Sequence, residues 1–230
     1  MPAKGYQYYE VDTFPNWGIG HEFRTSHQEP LFPDIDEAPQ TLITALGLAD
    51  HQSFQKYHVL HETYQKVRGR YRNEPITSYI AQIEFHIYYL AEHKRLFIDA
   101  PRNICKEMVD RLEKANIDFF VISREIDLIK LGKDLREEIR GGWFGELKVA
   151  DVSTIGIFGP TVGESEEWER YEQIGKLKAI NVELDWITQK LTVLIMANRG
   201  IVLFENLTEF QSLERVLKIQ NDLDPYIIHN

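Results

Sequence analysis

Residues 83–89 alternate strictly. Ile83, Phe85, Ile87 and Tyr89 are large and apolar, and Glu84, His86 and Tyr88 stand between them. A period of two puts every other side chain on one face, which is the pattern of a half-buried strand. Ala91-Glu92-His93 predicts a turn, and Lys94–Ala100 the returning strand. The same layout comes back 97 residues later: IEFHIYYLAEHKRLFIDAPR (83–102) aligns without a gap on INVELDWITQKLTVLIMANR (180–199). Ile83/Ile180, Ile98/Ile195, Ala100/Ala197 and Arg102/Arg199 are identical, and Phe85/Val182, Ile87/Leu184 and Leu96/Val193 keep the apolar pattern. Two such hairpins imply a mainly antiparallel sheet and a candidate internal duplication. A sheet of this kind holds one face on a core and leaves the other for a partner.

Helical signals flank these hairpins. Residues 1–36 are broken by Pro15, Gly18, Gly20, Pro30 and Pro33, with room for a short strand at Tyr6–Val11. Asp36 reads as an N-cap for a helix to about Leu46, and Asp50 as the cap of a second. In the second, Phe54, Tyr57, Leu60, Tyr64 and Val67 step by three and four, one apolar stripe on a helix. Together they predict an N-terminal helical hairpin. Pro101 opens a further helix with Ile104, Cys105, Met108 and Leu112 inward, and Ile117–Ile122 reads as a buried strand. Residues 124–139 fit either a helix capped by Ser123 or a strand over Ile126–Ile129. Strands at 143–150 and 153–158, a helix at 164–174, and strands at 177–187, 190–197 and 201–205 follow. Thr208 and Gln211 form a capping box for a last helix with Phe210, Leu213, Leu217 and Leu223 inward. The fold class expected is α+β: a mainly antiparallel, duplicated sheet with helices packed on one face, plus the N-terminal helical hairpin. Residues 1–75 would form the irregular segment and hairpin. Residues 76–230 would form the sheet domain, in halves 76–123 and 143–230.

Length and composition bound the function classes. The 230 residues are enough to bury a sizeable core. The single cysteine, Cys105, rules out an intrachain disulfide and favours a reducing, cytoplasmic setting. The N-terminus has no apolar signal-peptide region. The longest apolar stretch, Leu191–Ala197, is far short of the roughly 20 residues that cross a bilayer, so no membrane partner is expected. The net charge of -10 disfavours nonspecific binding to nucleic acid. Residues 51–80 reverse that sign, with five basic and two acidic groups.

Four groups of residues bear on chemistry. Lys66, Arg68, Arg70 and Arg72 set four cations in seven residues, with Tyr64 and Tyr71 among them. Cations grip phosphates and a tyrosine can stack on a base, so Lys66, Arg68, Arg70, Tyr71 and Arg72 are the binding candidates for nucleic acid. They can also pair with the chain's own acids. His51, His58 and Glu62, or His58 with His61, are candidate metal ligands on the polar side of a 51–68 helix. Gly156-Ile-Phe-Gly159-Pro-Thr-Val-Gly163 precedes a helix but matches no phosphate-loop pattern, and Glu164, Glu166 and Glu167 would repel an anion there. Cys105 falls on an apolar helix face and reads as core.

Glu125-Ile-Asp127 followed by Glu146-Leu-Lys148 resembles the active site of the PD-(D/E)xK nuclease superfamily. The resemblance covers residues 125–148. It implies that Asp127 and Glu146, on adjacent strands, hold Mg or Mn, and that Lys148 orients or activates the attacking water. Catalytic Asp127, Glu146 and Lys148 are expected only under that reading, and otherwise no cofactor. The preferred expectation is a non-catalytic binding or regulatory protein recognising another macromolecule: nucleic acid through 66–72, or a protein, including a second copy of the chain. The metal-dependent nuclease is the alternative.

Overall fold

The computed structural model describes residues 3–15, 17–26, 38–71, 74–115, 118–149, 151–187 and 189–229, with the side chains at 68, 70, 71, 74–77 and 149 excepted. The chain forms two compact units, Tyr9–Ile122 and Met1–Tyr8 with Ser123–Asn230. The first strand, β1 (Lys4–Thr13), contributes its two halves to the two units.

In the Tyr9–Ile122 unit, β2 (Glu22–Ser26), β3 (Gln40–Leu48), β4 (Gln55–Tyr71), β5 (Glu74–Leu90) and β6 (Arg95–Ile98) lie side by side in chain order, each antiparallel to the next. Helix α1 (Arg102–Lys114) follows, and β7 (Phe120–Ile122) pairs with the second half of β1. The expected helical hairpin is therefore overturned: 40–48 and 55–71 are strands. Asp36 lies outside the described residues, and Asp50 sits in the bend between β3 and β4.

The physical reason is in β4. Its buried residues are Tyr57, Val59, His61 and Thr63, a period of two. Two of them are polar, so a hydropathy reading misses the alternation and finds a helical stripe instead. Leu60, Tyr64 and Val67, counted inward on that stripe, are only partly buried. The cross-strand ladder to β5 decides between the two periods, because β-branched and aromatic side chains pair well across it. It runs from Gln55 opposite Tyr89 to Tyr71 opposite Glu74. The α1 stripe is buried as its spacing predicts: Ile104, Cys105, Met108 and Leu112 join Ile43, Val59, Phe85, Ile87 and Ile98 in one core cluster.

In the second unit the sheet runs from the first half of β1 through β12 (Gly200–Leu203), β11 (Gln189–Met196), β10 (Lys176–Trp186) and β8 (Ile139–Val149) to β9 (Val152–Phe158), all antiparallel. Helices α2 (Leu128–Asp134), α3 (Glu166–Ile174) and α4 (Glu209–Leu223) complete it. The Thr208–Gln211 capping box forms as the sequence predicts. Leu213 and Leu223 of α4 are buried, whereas Phe210 is exposed. The expected layer of helices on one sheet face is not formed; the chain is mostly antiparallel strand and begins with one.

The 97-residue offset does not survive through the turn. Ile87 lies opposite Ile98, but its counterpart Leu184 lies opposite Leu191. A short 3-10 turn joins β5 to β6, whereas Trp186 of β10 already lies opposite Gln189 of β11, so the two pairings differ by four residues.

Trp168 of α3 packs where β8 has no side chain. A Cβ on Gly142 would lie 2.5 Å from the Trp168 ring. Gly142→Ala is therefore expected to lower stability by about 1–3 kcal/mol, as overpacking does. Gly18→Ala, with nothing within 4 Å of the added carbon, is expected to leave the denaturant midpoint within error of wild type.

Candidate nucleic-acid interface

The pairing of β3 with β4 ends at Thr41 opposite His61, and β6 meets β5 only from Ile87 to Leu90. From Tyr64 opposite Ile80 out to Tyr71 opposite Glu74, β4 and β5 pair only with each other among the described residues. This is a two-stranded arm. Eight residues on the β4 side extend it about 26 Å at strand rise.

The cations expected to act together lie on this arm. Lys66 is exposed on β4, Arg68 and Arg70 are β4 positions nearer the tip, and Tyr71 is the last β4 residue. Arg72 lies outside the described residues. Between Glu62 and Glu84 the sequence holds these four cations and one acid, Glu74. The placement differs from a helix C-terminus, so no helix dipole accounts for the cluster. The register slips between Lys66, opposite Ser78, and Gly69, opposite Ile76. β4 gains one residue there, a bulge that adds local twist and breaks the strict alternation of faces. Tyr79, opposite Gln65, is 50% exposed.

A buried polar cluster holds the root of the arm. Arg111 of α1 is 5% exposed. Its guanidinium donates to Thr41 Oγ1 at 2.8 Å, to the Glu62 carbonyl at 2.9 Å and to Glu107 Oε1 at 2.9 Å. Thr63 donates to Glu107 Oε2 at 2.6 Å. The hydroxyl of Thr41, already accepting from Arg111, lies 2.9 Å from His61 Nδ1 and can donate its own proton there. His61 Nε2 faces Glu107 Oε1 at 3.7 Å. Glu62 turns its carboxylate to the Gln40 N–H. Burial alone would raise the Glu107 pKa. The contacts of His61 and Thr63 and the charge of Arg111 outweigh it and hold the carboxyl below its ordinary range. The stability this confers is complete above the ordinary carboxyl pKa and is lost as pH falls through the lower folded-state value. Burial likewise pulls Arg111 downward, against the attraction of Glu107 and Glu62.

Sequence reasoning missed Glu107, Arg111, Thr41 and Thr63. One signal was available: Arg111 falls three residues after Met108 and beside Leu112, a charge on the apolar side of α1.

The other expected sites are dispersed. Asp127 is not on a strand. It caps α2, its Oδ1 accepting from the Lys130 N–H at 3.0 Å. Glu146 is exposed on β8 and pairs with Lys178, which holds its carboxyl below the ordinary range. Lys148 is exposed two residues further on. The strand neighbours of β8 are β9 and β10, so the adjacent-strand arrangement of Asp127 and Glu146 is not formed. His58 and His61 stand on opposite faces of β4. His61 is buried, whereas His58 faces Glu84 at 3.6 Å, with its ring tilted against that of His86 at 5.7 Å. Among the described residues no three His, Cys, Asp or Glu side chains cluster as a metal site. Cys105 is buried and donates to the Ala100 carbonyl, and burial pushes its thiol up to about 12. No described helix is long and apolar enough to cross a membrane. No protein-family model matches the chain, and no curated protein matches it in sequence.

Removing Arg111 strands a buried carbonyl and a carboxylate. Arg111→Ala is expected to cost about 3 kcal/mol, the lower end for breaking a buried pair, because Glu107 keeps 37% of its side chain in water. Urea unfolding measures this, and an unchanged midpoint would show that the cluster does not hold the root.

Proposed function

We propose that this chain is a non-catalytic binding protein and that the β4–β5 arm is its nucleic-acid-binding element. The observation that supports the reading is a two-stranded ribbon, paired to nothing else among the described residues, that carries Lys66, Arg68 and Arg70 towards its tip. A two-stranded ribbon fits the major groove of B-form DNA, and cations along it can neutralise phosphates on both sides. The partner proposed is therefore duplex DNA. The chain as a whole is acidic, with net charge -10, and its remaining surface repels phosphate and confines contact to the arm. The reading takes the protein to work in the cytoplasm, which its one buried cysteine supports. It assigns no catalytic role to Asp127, Glu146 or Lys148, which act as a helix cap, an ion-pair partner and a solvated cation.

Fluorescence anisotropy with labelled duplex DNA tests the proposal. Wild type is expected to bind with a steep negative slope of log affinity against log salt. The double variant Arg68→Ala/Arg70→Ala is expected to bind more weakly and to lower that slope by about two, roughly one for each phosphate that is no longer neutralised. Equal, weak binding by both proteins would remove nucleic acid as the partner of the arm.

A further inference from the structure

We propose that β9 is a homotypic interface through which two copies of this chain pair, edge to edge and antiparallel. β9 ends the sheet of its unit among the described residues, with β8 on one side only. Its sequence, Val-Ser-Thr-Ile-Gly-Ile-Phe, contains no charge and no proline. Natural edge strands are guarded by lysines, prolines or bulges that prevent such pairing. The edge strand β2 follows that rule, since Glu22 and Arg24 interrupt it. In β9 the register irregularity with β8 falls between Val152 and Thr154, at the start of the strand, and leaves 154–158 regular.

The backbone geometry selects a register. The Gly159 N–H donates to the Arg140 carbonyl, so Gly159 turns its hydrogen-bonding groups to β8. By alternation Ile157 and Ile155 do the same, and Phe158, Gly156 and Thr154 turn theirs outward. A two-fold axis at Gly156 then sets Gly156 opposite Gly156 and Thr154 opposite Phe158, and all three outward residues find partners. No side chain collides on the axis, because the central residue has none. Phe158, 58% exposed, is covered in part by the second copy.

The self-complementary register about Gly156 fixes the occupant as a second copy, and charge fixes the direction. A chain of net charge -10 repels its own copy over most of its surface. The uncharged β9 adds no charge of its own to that repulsion. Just past its C-terminal end lie Glu164, Glu166 and Glu167. Parallel pairing would bring these acids together, and antiparallel pairing sends them to opposite ends of the pair. The inference is independent of the arm's proposed function.

Sedimentation velocity over a concentration series, with amide hydrogen exchange on the same samples, tests it. Wild type is expected to reach twice the 27.0 kDa chain mass as concentration rises, with the Thr154, Gly156 and Phe158 amides gaining protection in step. Thr154→Pro removes one outward donor and spares the ladder to β8, so dimerisation is expected to weaken by about tenfold or more. The exchange result on wild type decides the case however that variant folds. A monomer throughout, or a dimer whose 154, 156 and 158 amides stay unprotected, would overturn the proposal.

Discussion

The arm depends on one buried guanidinium. Arg111 reaches from α1 to β3 through Thr41 and to β4 through the Glu62 carbonyl, and it fixes Glu107, which in turn receives Thr63. These contacts fall on β4 residues 61–63, just inside the point where β3 stops and the ribbon continues. A two-stranded ribbon alone is marginally stable in water. It holds its direction only if its root is fixed, and a network of charged hydrogen bonds in a low-dielectric interior fixes it more sharply than apolar contact does.

The polar root also explains why the sequence misleads here. The apolar side chains from Phe54, just before β4, to Val67 fit a helical stripe. The inward strand positions His61 and Thr63 are polar: His61 meets the Thr41 hydroxyl of β3, and Thr63 donates to Glu107 of a helix some 45 residues away in sequence. Local periodicity cannot count a buried histidine as core when its partner is distant. The same blindness put His58 and His61 on one face, where the strand separates them. Where apolar alternation is complete, as in Phe85–Ile87 or Val182–Leu191, strand and turn are legible from the sequence.

Local capping chemistry was legible for the same reason: Thr208 and Gln211 close their box within four residues. Asp127 shows the converse. Its neighbourhood resembles a nuclease motif in letters, but its carboxylate accepts from the Lys130 N–H in the first turn of α2, and residues this short and polar cap helices readily. The basic run 66–72 was legible as charge. That it lies on a two-stranded ribbon was not, because the ribbon exists only through the β4–β5 register, which charge does not report.

The central claim, that the arm and not the body of the protein meets DNA, is tested by removing the arm. Tyr64 and Ile80 lie opposite each other, so residues 65–79 can be replaced by Asn-Gly, which favours the tight turn of a hairpin. The account predicts that the shortened chain keeps its thermal midpoint, since the root contacts remain, and loses duplex binding in an anisotropy titration at low salt. Duplex binding retained at wild-type affinity by a folded, armless chain would contradict it.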